Sequence, residues 1–301
     1  MKILVTGALG FIGSNLTERL VKEGHEVTAL DNLHTGSESN LESVKEKVRI
    51  VKKNAGEVGS LGEGFDAIFH QGIYSSSPMY KENPRLTATV LDEWLSILEY
   101  ARKHGGALVY ASSSSLYNRN LPPHREDMEI FATDFYTEGR FSMERLAKIY
   151  SELYGVKSVG LRYFSVYGPH ERSKGKYANL VTQFLWSMQK GESPLIFGDG
   201  KQTRDFISVE DVVEANIRAM SYRQTDVFNV GTGRSASLNE VVDLLNSELG
   251  TSIKASYKQN PIKNYVQHTQ ADTSKAEDLL GFSARTALED GVKRLIKHYA
   301  G

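Results

Sequence analysis

Along the first half of the chain, short unbroken apolar runs alternate with stretches whose apolar residues return every three or four positions. KILVTG, EVTALD, VRIVKKN, FDAIFHQG, ALVYASSS and SVGLRYFSVYG are runs of the strand kind. Residues 12–23, 88–104 and 137–154 carry helical spacing. Strands apolar on both faces and separated by helices predict an α/β fold, a doubly wound parallel sheet covered on both sides, over residues 1–168. After Gly168 the rhythm changes. A polar, glycine-bearing stretch (169–178) leads to a helix near 179–190, a turn in FGDGKQTRDF, and a helix near 209–221. The strand and turn VFNVGTG and a helix over 237–249 follow. This predicts a smaller C-terminal substrate lobe over 169–301, with segments near 204–232 rejoining the sheet. No internal repeat or low-complexity segment is present.

The first strand runs directly into TGALGFIG, so Gly7, Gly10 and Gly13 open the first helix with G-x-x-G-x-x-G spacing. This is a variant of the G-x-G-x-x-G dinucleotide fingerprint. The physics is the same: a tight turn, close approach of backbone to a pyrophosphate, and phosphate at a helix N-terminus. The expected lobe is therefore of the Rossmann kind. Asp31 ends the second strand, 18 residues past Gly13. A carboxylate there accepts hydrogen bonds from both ribose hydroxyls and repels a 2′-phosphate, which favours NAD over NADP.

Composition narrows the chemistry. With no cysteine among 301 residues, disulfides, thiolate nucleophiles and cysteine-ligated metals are excluded. Lys+Arg 36 against Asp+Glu 37 gives no electrostatic reason to expect nucleic acid or an acidic membrane as partner. No apolar run approaches the roughly 20 residues that span a bilayer, and MKILVTGALGFIG breaks at glycines without an A-x-A site. The expected address is the cytoplasm. The eight histidines show no H-x-x-x-H spacing, so no metal site is expected. The SSSS at 112–115 lacks a G-x-S-x-G elbow, which argues against a serine hydrolase. LPPHRED reads as a turn-rich surface loop.

In DFYTEGRFSMER, at the start of a predicted helix, Tyr136 precedes Arg140 by four residues. One helical turn puts the phenol and the guanidinium on one face. TGALGFIG, DNLHTG, YASSSSLY, this pair, LRYFSVYGP, GDGKQTRDF, FNVGTG and ADTSKAEDLLGF follow one another in that order. Together the chain resembles the extended short-chain dehydrogenase/reductase family, in its nucleotide-sugar epimerase and dehydratase branch. The resemblance implies NAD as cofactor, a nucleotide-diphosphate sugar as substrate, a transient keto-sugar and a homodimer. The apolar positions of 88–104 and 137–154 exceed what one sheet face needs, which suits a paired-helix dimer seam.

Carried over residue by residue, the resemblance makes Tyr136 the base and places Ser113 on the same sugar oxygen. Gly7, Gly10, Phe11, Ile12, Gly13, Asp31, Asn32, Gln71, Tyr136 and Arg140 would hold NAD. Ser75, Ser113, Ser165, Asn179 and Arg204 would hold the substrate, with Arg204 on its diphosphate. His70 and Gln71 end a strand expected to face the cleft and line it. Arg140 stands where the family has lysine; it keeps a positive charge but relays a proton poorly. Ser115 stands where dehydratases and decarboxylases carry an acid, which favours epimerisation or reduction. DNLHTG and GDGKQTRDF are similar to UDP-glucose 4-epimerases. FHQGIYSSS, ERSKGKYAN, KGESP and NYVQHTQAD are more similar to ADP-heptose 6-epimerases, where a lysine matching Lys174 is a second acid/base. As a lysine in a polar loop, however, Lys174 reads first as a solvated charge. Ser165, Val90, Glu93 and IKNY at 262–265 depart from the family pattern, and Trp94 would fill space those changes leave. The expected activity is a UDP-glucose/UDP-galactose 4-epimerase-like one. The alternatives are an ADP-heptose 6-epimerase-like enzyme, a nucleotide-sugar reductase, or a weakly catalytic binding homologue.

Overall fold

The computed structural model describes residues 1–62, 64–260 and 265–300. β1 (Lys2–Thr6), α1 (Phe11–Lys22), β2 (Glu26–Asp31), β3 (Val48–Lys52) and β4 (Ala67–His70) open the chain, and the short α2 (Ser77–Glu82) follows. Next come α3 (Leu86–His104), β5 (Ala107–Ser113), α4 (Phe135–Tyr154) and β6 (Ser158–Tyr163). The remainder comprises β7 (Ser165–Tyr167), α5 (Leu180–Gln189), β8 (Leu195–Phe197), β9 (Thr203–Arg204), β10 (Phe206–Ser208), α6 (Val209–Ala219) and β11 (Asp226–Val230). β12 (Ala236–Ser237), α7 (Leu238–Leu249), β13 (Ser256–Lys258), α8 (Ser274–Leu280) and α9 (Leu288–Tyr299) complete it.

Seven strands form one parallel sheet in the order β11-β6-β5-β4-β1-β2-β3. All four residues of β4 and all six of β6 are buried, as expected of strands covered on both faces. One apolar cluster runs from Ile3 to Phe282 around this sheet. A second, formed by α5, α7 and α9 with Tyr167, Ile196 and Phe206, lies under the C-terminal segment.

SVGLRYFSVYG is two strands rather than one. Phe164 donates its N–H to Val230 O (3.0 Å) and the next residue, Ser165, to Asp205 O (2.9 Å). The chain therefore changes partners between β6, in the large sheet, and β7, which pairs with β10. LPPHRED is only partly a surface loop: Leu121 is exposed, but His124 is buried, stacked on Tyr117 at 4.8 Å and bridged to Ala271.

α4 is fixed at both ends and in the middle. Asp134 caps its first turn through Thr137 N (2.8 Å), and Gly155, at φ 70°, ends it in the left-handed region. Trp94 of α3 donates to Met143 O (3.0 Å), so α3 and α4 are tied side by side. Between helix and sheet, Glu144 receives two nitrogens of Arg162, at 2.9 and 2.6 Å, and Ser112 Oγ at 2.6 Å. Both members of this ion pair are buried. Glu144→Ala leaves Arg162 buried and unpaired. A loss of about 3–5 kcal/mol is expected, read as a lower urea midpoint with an unchanged m-value.

Candidate active site

The sheet order reverses between β1 and β4, and the crevice outside the strand ends at that point is where doubly wound sheets bind ligands. A cleft of about 630 Å³ opens there. Its floor is the glycine turn. Gly7 has φ +65°, and a Cβ on it would lie 2.5 Å from Gly72 Cα; one on Gly13 would lie 2.0 Å from Gly7 O. No side chain fits at either position, so bare backbone faces the cleft. Gly10 precedes α1 without a side-chain cap, and the first turn of α1 has no acidic residue. Its N–H groups and the helix dipole are left for an anion.

At the end of β2, Asp31 accepts Leu9 N (2.9 Å) on one oxygen and Leu33 N (2.7 Å) on the other. Each oxygen keeps a lone pair for a ribose hydroxyl. Burial pushes this carboxyl up, against the pull of the backbone N–H groups of Leu33, Leu9 and Gly10. Asn32 donates to Asn54 Oδ1 (3.0 Å), and Gln71 is held between Tyr163 and Asn216 (both 3.0 Å). Phe11, Ile12, Asn32 and Gln71 all line the cleft. His70 does not. It is buried behind the cleft wall, hydrogen-bonded to Thr6 Oγ1 (2.8 Å) and stacked on Trp94 (5.5 Å). Burial, with Arg140's charge second, pushes it down to about 3, so it is neutral.

The first turn of α4 carries Tyr136 and Arg140 onto the same wall, opposite Ser113 at the end of β5. The Arg140 guanidinium carbon lies 5.0 Å from the Tyr136 ring centre. Tyr80 meets the same ring edge-on at 5.4 Å. Arg140 is buried; it donates to Tyr74 O (2.8 Å) and toward Met143 Sδ (3.8 Å), and its Nε has no partner. Its charge thus lies beside the phenol with no carboxylate ion-paired to it among the described residues. Ser113 Oγ receives Ser115 N (3.1 Å), and serines fill 112–115 with no acid among them.

Ser75, Ser165, Asn179 and Arg204, the expected substrate residues, line the same cleft. Asn179 caps α5 and donates to Ser165 Oγ (3.1 Å). Arg204 is half-buried; it donates to the carbonyls of Thr203, Val266 and Gln267 and lies 5.1 Å from the Tyr265 ring centre. Residues 262–264 of IKNY lie outside the described residues. Lys174 is not the solvated charge its polar loop suggested. Only 13% of its side chain is exposed; it stands over Phe11 at 5.1 Å, with its nitrogen 4.0 Å from the fully buried Glu171. Burial pushes Glu171 up and the Lys174 charge opposes it. The surrounding loop crosses the cleft mouth: Ser173 donates to Thr35 O (2.7 Å), and Lys176 and Tyr177 both reach Glu82 (2.9 Å).

A match to the NAD dependent epimerase/dehydratase family covers residues 3–231. The chain belongs to that family. A putative UDP-glucose 4-epimerase of Methanocaldococcus jannaschii is 35% identical over 300 residues, covering 98% of this chain and 97% of that protein. The UDP-glucose 4-epimerase of Thermotoga maritima, solved with UDP-glucose, superposes with a TM-score of 0.93 at 31% identity, covering 100% of this chain and 99% of that one. The UDP-N-acetylglucosamine 4-epimerase of Methanobrevibacter ruminantium, solved with UDP-N-acetylmuramic acid, gives 0.94 at 29%, covering 99% and 98%. The family's cofactor fits what the cleft offers: a bare glycine cradle, an uncapped helix start and a ribose-facing carboxylate.

Three features of this family member were not assigned from sequence. Tyr74 bridges the cleft, edge-on to His34 at 4.8 Å. Glu171 anchors Lys174; nothing local marks it as buried, because its burial comes from α5 and α9. Glu93 of α3 lines the cleft wall and is 7% exposed. Burial, helped by the negative charge of Asp92, pushes it up to about 7. A carboxyl raised in the folded state costs stability as pH climbs from its unfolded value, about 4.3, to about 7, and the cost is level above. Glu93→Gln is therefore expected to stabilise the protein by up to about 3 kcal/mol at pH 8 and hardly at all at pH 4, measured by denaturant unfolding at both pH values.

Proposed function

We propose that the protein is an NAD-dependent epimerase of a nucleotide-diphosphate sugar, most similar in activity to the UDP-glucose/UDP-galactose 4-epimerases. The observation that carries this reading is the meeting of Tyr136, Arg140 and Ser113 on the wall of a cleft floored by the glycine turn, with no carboxylate at Ser114 or Ser115. Bound NAD supplies a hydride acceptor that is restored within each turnover. The chain's own residues handle the protons. Tyr136 takes the hydroxyl proton as the sugar carbon becomes a ketone, while Ser113 hydrogen-bonds the same oxygen. The permanent charge of Arg140 stands beside this phenol, 5.0 Å from the centre of its ring. Arg140, which stands where the family has lysine, is the residue left to reach the cofactor's ribose. Arg204, with no acid ion-paired to it among the described residues, meets the substrate diphosphate. Without an acid beside Ser113 nothing drives elimination, so the ketone is re-reduced.

One observation favours a second reading. Lys174 is sequestered in the cleft rather than solvated, as a second acid/base of an ADP-heptose 6-epimerase-like enzyme would be. The proposal also includes a homodimer in the cytoplasm. Exposed Leu95 of α3 and Ile149, Leu153 and Tyr154 of α4 support the seam, and no helix among the described residues is long and apolar enough to cross a membrane.

Incubation with UDP-, ADP-, GDP- and dTDP-sugars, with products resolved chromatographically, tests the function. UDP-glucose and UDP-galactose are expected to interconvert with no net NADH. Net NADH consumption would indicate a reductase, turnover confined to ADP-sugars the second reading, and bound nucleotide without turnover a binding homologue. Tyr136→Phe should lower kcat by about 10²–10⁴-fold. Arg140→Lys should keep activity within about tenfold; an inert parent that gains activity only as the lysine variant contradicts the role given to Arg140.

A further inference from the structure

Three carboxyl groups line the cleft: Asp31, Asp134 and Glu93. Two are committed to the chain. Asp31 holds Leu9 N and Leu33 N, and Asp134 holds Thr137 N and Ser77 Oγ. Glu93, more than nine-tenths buried, has no hydrogen-bond or ion-pair partner among the described residues. A buried carboxyl without a partner is costly, and such groups are normally satisfied by something.

Its place in the fold says by what. Asp31 at the end of β2 marks the ribose, so the base of the same nucleoside lies beyond it, toward β3 at the sheet edge. The cleft wall there is made by Lys53 and Ala55 after β3, by Ile73 and Tyr74 after β4, and by Glu93 from α3. Glu93 lies against the start of that wall: a Cβ on Gly56 would sit 3.4 Å from Glu93 Cγ. The other polar groups nearby are already in use. Asn54 is spent on Asn32 and on capping with Glu57; Lys53 reaches Ser60 Oγ (2.8 Å). The flanking surfaces of Ala55 and Ile73 are apolar, as a base face requires.

We infer that Glu93 reads the adenine of the dinucleotide, its carboxylic acid pairing in two-point fashion with the exocyclic amine and an adjacent ring nitrogen. The carbonyl oxygen accepts from the amine and the hydroxyl donates to the ring nitrogen, so the acid must be present in its neutral form. Burial, helped by Asp92, raises the carboxyl to about 7, so a substantial share is neutral at neutral pH. The other titratable groups facing Glu93 are Tyr74 and Tyr80, from the segment after β4 and from α2. Neither is a cation that would hold Glu93 ionised. The ring nitrogen is N7: a base with a carbonyl in place of the amine then presents two acceptors to an acid with one proton, and is rejected. This assignment rests on the reading of the cleft as an NAD site.

The test is a competition for binding, independent of turnover. Purified protein is equilibrated with equimolar NAD and deamino-NAD (hypoxanthine in place of adenine), freed of unbound nucleotide, and its bound dinucleotide identified by chromatography. The parent should retain NAD over deamino-NAD by about tenfold or more, since the analogue leaves a buried polar pair unsatisfied. Glu93→Gln, whose amide presents the same acceptor and donor, should keep the preference. Glu93→Leu, which removes both, should bring it to within about twofold. Equal retention of the two dinucleotides by the parent, or a preference that persists in Glu93→Leu, overturns the assignment while leaving the NAD site in place. Failure to retain either dinucleotide overturns the NAD reading itself.

Discussion

The contact on which the site's geometry depends is the buried pair of Arg162 and Glu144. Glu144 lies one turn beyond Arg140 and two beyond Tyr136 on α4, and Arg162 lies on β6 between Ser112 of β5 and Asn229 of β11. Ser112, next to Ser113, adds its hydroxyl to the same carboxylate. One carboxylate therefore sets the distance between the helix that carries the phenol and the strand that carries the serine. Arg162 also receives the support of Tyr117 OH (2.8 Å), which in turn donates to Asn229 of β11. The pair is thus built into three strands and a helix. A hydrophobic pair of equal volume could hold the layers together, but it would not fix the rotation of α4 about its axis.

Around that frame the site separates its charges by function. Among the described residues Arg140 and Arg204 have no ion-paired carboxylate, and both spend donors on backbone carbonyls instead. Their positive charge remains available to a phenol in one case and to an anion in the other. Lys174 is different, because Glu171 behind it balances most of its charge. The arginine that stands in place of the usual lysine also ties helix to loop: its planar fork reaches the segment after β4 and holds Tyr74 O.

Much of this was legible in the sequence. The continuous apolar runs marked the strands of the large sheet, the central ones because both their faces are buried; the edge strand β3 is not buried. The glycine spacing and Asp31 marked residues that line the cleft, since close backbone approach leaves few residue choices. Tyr136 and Arg140 shared a face because helical geometry requires it. What was not legible depended on contacts distant in sequence. Nothing in LRYFSVYG shows that Phe164 is where the chain leaves one sheet for another; that is decided by Val230 and Asp205. His124 is buried by Gln270 and Ala271, and Lys174 is sequestered by a glutamate that α5 and α9 bury. Glu93 looked like a simple departure from a pattern, because its meaning lies in which neighbours are already spent.

The start of α1 bears on the life of the protein before loading. α4 and α7 begin with reciprocal side-chain caps, whereas α1 begins at Gly10 with none and no acid in its first turn. Its leading amides have no side-chain acceptor, so a bound anion would supply one. The cofactor is in this sense the last piece of the fold as well as a reagent. Resistance to heat and proteolysis then tracks dinucleotide occupancy by simple mass action, and newly made chains in a cell short of NAD are the ones most exposed to degradation.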